Sequence, residues 1–401
     1  MKNWKKTFAI IWTGQFLSIL SSTIVNFAII LWMSVETRSP EILAWGTVAA
    51  LLPQALLGPV SGVFIDRWDR KKVMMLADSF IALCTLILAI LFWLDIAHIW
   101  HIYTLLALRS VGSSFHMPAM QASVPLIAPT EELSRIAGIN QLINSFANIA
   151  GPALSVLLIT WWDMEYVLMI DVAGAMFAVT SLLFVRIPNP PASSQPKHVL
   201  REMKEGGMVI LNNKGLSWIF LFSILATFFI MPVSMLFPLM TLEHFNGTEF
   251  QMAVIEICWS VGALSGGAVM GVRIYHINKT GLVNFMYILV GLTFMLSGVL
   301  SPNGYIAFAI LTAIGGVAGA IYNASFTAIV QTNVEPGALG RVFSLFFTTS
   351  LIPSMIGVIG VGLYAEHIGL TSSFIVSGVF LIIIGIIAFK FPSAMKIGQG
   401  R

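Results

Sequence analysis

The chain has 401 residues, of which 57% are hydrophobic and 10% charged, with a formal net charge of +3. A mean hydropathy of +0.89 excludes a soluble globular domain, whose surface requires far more charge. The few basic residues form no patch of the kind nucleic acid selects, so the partner that this composition implies is the lipid bilayer.

Apolar stretches between polar breaks predict twelve spans, over 8–33, 43–65, 73–94, 99–124, 139–161, 166–187, 216–242, 250–272, 281–300, 304–330, 342–364 and 370–391. Each is near the ~20 residues that a helix needs to cross a bilayer. Of the 21 Lys and Arg, 19 fall on one side, at the N-terminus, in alternate connections and at the C-terminus. Arg38 alone falls on the other side, and Arg109 lies inside a span. This asymmetry places both termini in the cytoplasm. Cys84 and Cys258 fall within spans, where they read as small apolar fillers with no disulfide between them.

The longest polar stretch follows span six and opens Ile187-Pro188-Asn189-Pro190-Pro191-Ala192-Ser193-Ser194. Such a segment is a linker. Beyond it, Val199, Leu200, Met203 and Ile210 share one helical face opposite Arg201, Lys204 and Glu205, as in a helix lying on the membrane surface. The expected organisation is a six-helix bundle over 1–187, a cytoplasmic linker with an interfacial helix over 188–215, and a second six-helix bundle over 216–401. This is the layout of a two-bundle secondary transporter, with its substrate path between the bundles near the midplane.

Three local patterns sharpen that reading. Between spans two and three stands Gly62-x3-Asp66-Arg67-x2-Arg70-Lys71; span four carries Arg109-Ser110-Val111-Gly112; span five carries Ala147-x3-Gly151-Pro152. They resemble the signature loop, the proton-linked motif and the antiporter motif of the major facilitator superfamily. Ile11-Trp12-x-Gly14-Gln15, Asp69-Arg70-Lys71-Lys72, Phe115-His116-x-Pro118-Ala119 and Ile170-Asp171 resemble its macrolide-efflux branch. Departures accompany the matches: Asp69 and Ala147 stand where glycine is usual, Ser155-Val156 replace a trailing glycine pair, and the corresponding second-half loop, Gly267 to Lys279, lacks the Asp-Arg pair.

The resemblance implies an all-α membrane protein of twelve transmembrane helices in two six-helix bundles, the major facilitator fold. It also implies a proton-coupled exporter of amphipathic drugs, macrolides foremost, working by alternating access in a bacterial cell membrane. Such a protein acts as a monomer, is not an enzyme and uses no cofactor. Kept beside this are a lysolipid flippase or siderophore exporter of the same fold, and a non-transporting membrane sensor. No Gly-x4-Gly-Lys-Ser/Thr loop is present for ATP, and His98 and His101 lack partners at a metal-ligand spacing.

A charge in hydrocarbon costs several kcal/mol unless it is paired or faces water, so intramembrane ionisable residues are functional candidates. Asp171 in span six, Glu256 in span eight and Arg109 in span four are the expected proton-coupling residues, the arginine attracting and releasing a nearby carboxylate as the conformation changes. The plainer alternatives are an arginine on helix-end carbonyls and acids satisfied by Ser, Thr or Tyr. Gly62, Asp66, Arg67, Arg70, Lys71 and Asp78 form an expected conformational latch at the inner surface, Asp78 being within reach of Arg67 or Arg70. Gln15, Ser18, Ser22 and Asn26 follow one face of span one, and Gln141, Asn144 and Asn148 one face of span five, as cavity lining or as interhelical hydrogen bonding. Gly151 and Pro152 supply a bend where helices rock.

Overall fold

The computed structural model describes residues 4–65, 68–129, 133–187, 199–272, 277–335 and 339–398. Among these, all regular structure is helical. In chain order the helices are α1 (Trp4–Thr37), α2 (Pro40–Ile65), α3 (Arg70–Trp93), α4 (Ile99–Ile127), α5 (Leu133–Trp161), α6 (Met164–Leu183), α7 (Val199–Asn212), α8 (Lys214–Met235), the short α9 (Phe237–Leu239), a π-helical turn Met240–His244, α10 (Glu249–Val272), α11 (Lys279–Val299), α12 (Tyr305–Asn333), α13 (Leu339–Ile368), α14 (Leu370–Ala388) and α15 (Pro392–Ile397).

Eleven of the described helices are long and apolar enough to cross a membrane by length and composition. The predicted span over 99–124 is the long helix α4. It falls outside the eleven because Arg109, Ser110, Ser113, Ser114, His116 and Gln121 dilute its hydropathy, and several of these residues prove to face the interior.

Helix starts are set by capping side chains. The Asp69 carboxylate accepts a hydrogen bond from the Lys72 amide at 3.1 Å, satisfying one of the free N–H groups at the start of α3. The Asp at this position, where the resembling loops carry glycine, thus has a local physical role. Asn213 and Asn278 cap α8 and α11 in the same way.

The chain divides into two compact units, one of residues 1–32 and 49–197 and the other of residues 33–48 and 198–401. Residues 188–198, the first part of the connection expected over 188–215, lie outside the described residues, and α7 occupies most of the remainder.

In the first unit, α3 packs between α4 and α6. Helix α1 meets α6 closely because Gly174 leaves no Cβ to collide with the Ser21 side chain. A core of Ile11, Trp12, Met74, Ala119, Ile127 and Leu182 closes one end of this unit.

In the second unit, α10 and α12 approach through Gly262 and Gly316, where an added Cβ would strike the opposing backbone carbonyls of Ala313 and Trp259. Such contacts between small residues gain dispersion energy that lipid cannot supply. Phe237 lies 5.7–6.1 Å, centroid to centroid, from Phe294, Phe308 and Phe374, building an aromatic core there. Residues 33–48 belong to this unit, and within it Arg38 Nη1 lies 3.3 Å from Glu243 Oε1.

Large apolar side chains such as Leu76, Phe184 and Ile306 are more than two-thirds exposed, as suits a surface covered by lipid. Trp93, Trp100, Trp161 and Trp162 stand exposed at the α3–α4 and α5–α6 connections, the placement of an interfacial aromatic belt.

Candidate functional site

Within the first unit, four helices bring a polar side chain to one point. Asp171 on α6 is 1% exposed and Arg109 on α4 is 5% exposed. Arg109 Nη1 lies 2.6 Å from Asp171 Oδ2. The same carboxylate accepts hydrogen bonds from the Thr85 hydroxyl of α3 at 2.7 Å and from the Ser22 hydroxyl of α1 at 2.6 Å. Arg109 also donates to the Thr85 hydroxyl, and through Nη2 to Asn26 Oδ1 at 3.2 Å. Removing two charges from water costs several kcal/mol per ion, which mutual attraction offsets only when the remaining donors and acceptors are also filled. Ser22, Thr85 and Asn26 fill them here.

A second polar layer lies one heptad away on three of the same helices. Gln15, Asp78 and His116 are each seven residues from Ser22, Thr85 and Arg109, two helical turns and about 10 Å along each axis. All three are buried. Gln15 Nε2 donates to Asp78 Oδ2 at 3.3 Å. His116 Nε2 lies 3.2 Å from Asp78 Oδ1, but off the line of a hydrogen bond, so the contact is one of charge and proximity. Among the described residues no hydrogen bond reaches His116 Nε2 or Gln15 Oε1.

Between the layers is a cavity of about 170 Å³, lined by Ser18, Ser22, Asp78, His116, Asn144 and Asp171 among others. Drug-sized ligands occupy pockets of ~300–1,000 Å³. This cavity is smaller; Ile19, Ile81, Met117 and Ala175 form much of its wall, and its polar groups suit it to a few water molecules, each with ~30 Å³ of liquid volume.

The expected site residues thus fall into groups. Asp171 and Arg109 meet directly. Glu256 lies on α10 in the second unit, half-buried, and makes no side-chain hydrogen bond or ion pair with another of the described residues. Of the expected lining residues, Ser18, Ser22 and Asn144 face the small cavity, Gln15 and Asn26 bond the acidic and basic centres, and Asn148 is exposed. The side chain of Gln141 lies outside the described residues. Gly151 packs against Thr23, where an added Cβ would stand 2.6 Å from its methyl carbon, and α5 continues through Pro152.

In the loop motif, Asp66 and Arg67 lie outside the described residues and Gly62 lies near the end of α2. Arg70 donates to the Ala122 carbonyl at 2.5 Å, and Lys71 to the Val185 carbonyl at 2.8 Å. These contacts fasten the start of α3 to the ends of α4 and α6. Asp78 was expected within reach of Arg67 or Arg70; its partners in the structure are Gln15 and His116. Eight residues after Arg70, it has turned toward α1 and α4.

Thr85 and His116 are the site residues that sequence reasoning missed. Their signal was available as the repeated seven-residue spacing of polar residues on α1, α3 and α4. Among the described residues no group of three or more His, Cys, Asp or Glu is placed to hold a metal ion.

Comparison with known proteins bears on the family and the fold. The family model described as Major Facilitator Superfamily matches residues 11–302. Macrolide efflux protein A of Streptococcus pyogenes is 36% identical over 388 residues, covering 96% of this chain and 96% of that protein. Macrolide efflux protein A of Enterococcus faecalis is 36% identical over 302 residues, covering 75% of this chain and 93% of that one. Among solved structures, a POT family transporter crystallised with a thioalcohol-conjugated peptide shares the fold with a TM-score of 0.76 at 13% identity, covering 96% of each chain.

Proposed function

The chain belongs to the Major Facilitator Superfamily, and from that premise we propose that it is a drug-efflux transporter of the cell membrane. Its cargo is amphipathic molecules, macrolides first among them, exported in exchange for protons by alternating access. The similarity to macrolide efflux proteins over almost the whole chain supports the cargo class. The observation that carries proton coupling is the buried Arg109–Asp171 pair.

With Asp171 ionised, Arg109, Thr85 and Ser22 bind its two oxygens and hold α1, α3, α4 and α6 together. A proton on Asp171 cancels the attraction to Arg109 and converts an acceptor-only group into a donor. The four helices then lose a common anchor, and the bundle is free to take a second arrangement. Proton occupancy and conformation are linked in this way, as exchange requires. A pH difference of one unit supplies ~1.4 kcal/mol per proton, and 100 mV of membrane potential ~2.3 kcal/mol per charge moved. One proton therefore supports a drug gradient of about tenfold or more.

Glu256 is assigned as a carboxylate of the second bundle that can share the coupling. Gly62, Asp66, Arg67, Arg70 and Lys71 are assigned to the inner-surface latch, with Gly151 and Pro152 at a bend of α5, whereas Asp78, which faces Gln15 and His116, stands apart from the latch. The polar faces of α1 and α5 are assigned to the cargo path in the conformation that opens to it. The transporter acts as a monomer, its termini in the cytoplasm. An anionic lipid or siderophore would look for a cation in the first bundle, and Arg109 is already taken by Asp171.

Susceptibility profiling tests the proposal. Expression in a bacterial host lacking its own drug pumps is expected to raise the inhibitory concentration of erythromycin, and the Asp171→Asn variant to return it to that of the host. Unchanged susceptibility across a broad drug panel, with the protein present in the membrane, contradicts the assignment.

A further inference from the structure

Asp171 is 1% exposed, so a proton bound there needs a route to water. Among the described residues, the cavity beside it is lined by Asp78 and His116 and by no other titratable side chain. We infer that the His116–Asp78 pair is a second proton-binding site, which exchanges protons with Asp171 through water held in this cavity. The inference rests on the proton-coupled reading above and adds the path by which the proton leaves.

Every helix packed around the cavity bears on the argument. From α1 come Gln15, Ser18 and Ser22, all neutral. From α3 comes Asp78, and from α4 come Ser113 and His116, with Arg109 two turns away and bound to Asp171. From α5 comes Asn144, and from α6 Asp171. Helix α2 carries no charged residue between Ala49 and Ile65. Among the described residues, the ionisable groups of this interior are therefore Asp171 with Arg109 at one level and Asp78 with His116 at the other.

Two features distinguish the lower pair from a packing contact. Arg109 is filled by Asp171, Thr85 and Asn26, whereas His116 Nε2 is more than nine-tenths buried, borders the cavity and takes no hydrogen bond from a described residue. Buried polar atoms left so are ordinarily satisfied by water. A histidine beside an aspartate is also the side-chain pair best suited to alternate between neutral and charged forms near neutrality.

The step balances without any other reagent. Protonated Asp171 gives its O–H proton to a cavity water as Arg109 re-engages the carboxylate. That water passes one of its own protons along the chain, and the last water gives one to His116 Nε2. One O–H bond breaks at Asp171 and one N–H bond forms at His116. The imidazolium is stabilised by the Asp78 carboxylate 3.2 Å away, and Ser18, Ser113 and Asn144 are placed to orient the waters. The two-turn offset carries the proton about 10 Å toward the N-terminal end of α1.

The test uses the purified full chain in proteoliposomes with radiolabelled erythromycin as probe. Accumulation driven by a pH gradient is compared with counterflow, which exchanges drug for drug and needs no net proton transfer. His116→Gln and Asp78→Asn are expected to lower driven accumulation by about tenfold or more and to keep counterflow within about twofold. Asp171→Asn serves as the reference. If Asp171→Asn loses driven accumulation while His116→Gln and Asp78→Asn keep it, this inference is overturned and the coupling proposal stands. If Asp171→Asn keeps it as well, the coupling proposal itself fails.

A second measurement needs neither drug nor a His116 variant. In a chain whose other six histidines are replaced, ¹⁵N nuclear magnetic resonance is expected to show the His116 ring taking up a proton reversibly on acidification, with a midpoint moved by Asp78→Asn. A ring that keeps one protonation state throughout the pH range of transport overturns the inference.

Discussion

Arg109 and His116 stand two turns apart on α4, and each faces an aspartate of another helix, Asp171 at 2.6 Å and Asp78 at 3.2 Å. The first contact is a filled ion pair. The second leaves the imidazole Nε2 without a hydrogen bond among the described residues. One helix thus presents an arginine and a histidine to the two buried carboxylates found among the described residues of the first unit.

The upper pair should behave as a coupled unit in stability. Asp171→Ala leaves Arg109 buried without its counter-charge, at a cost of ~3–5 kcal/mol, and Arg109→Ala strands Asp171 similarly. The double variant should lose less than the sum of the two, giving a coupling energy of ~3 kcal/mol in a double-mutant cycle. Unfolding in detergent micelles checks this, and additive losses would remove the pair from its structural role.

Close approach of α1 and α6 is what brings Ser22 to Asp171. Gly174→Val places a side chain where the Ser21 side chain stands, and overpacking of this kind costs ~1–3 kcal/mol. Ser21→Gly on the same background should restore part of the loss. Thermal stability in detergent and driven transport should fall and recover together.

The Asp69 cap gives a local prediction. Asp69→Ala should destabilise α3 by ~1 kcal/mol, whereas Asp69→Gly and Asp69→Asn should cost only a few tenths. Hydrogen exchange at the amides of Lys71 and Lys72 would register the difference.

The loop latch predicts a kinetic effect. Asp66→Asn should slow turnover by about tenfold, equivalent to ~1.4 kcal/mol on the barrier, while erythromycin affinity stays within about twofold. Equal loss of affinity and turnover would place Asp66 with the cargo instead.

Much of this arrangement was legible in the sequence, since a lone Arg and a few acids within apolar runs have few reasons to be there. Arg109 and Asp171 were found in that way, and the structure joins them. The partners of Asp78 were less legible. Proximity along the chain pointed to Arg67 and Arg70, but the face that a helical residue presents is set by helix rotation and packing, and α3 turns Asp78 toward Gln15 and His116. Span four illustrates a related limit: the polar residues that make α4 central to the site are those that lower its apolarity. Thr85 is an ordinary residue in a span until its seven-residue relation to Asp78 is set beside the same relation on α1 and α4.

Proton movement on drug addition tests the central claim most directly. Proteoliposomes containing the chain, a trapped pH indicator and a preset pH gradient should show proton flux when erythromycin is added, and Asp171→Asn should abolish it while the protein remains in the bilayer. Wild-type flux from the Asp171→Asn variant would contradict the account.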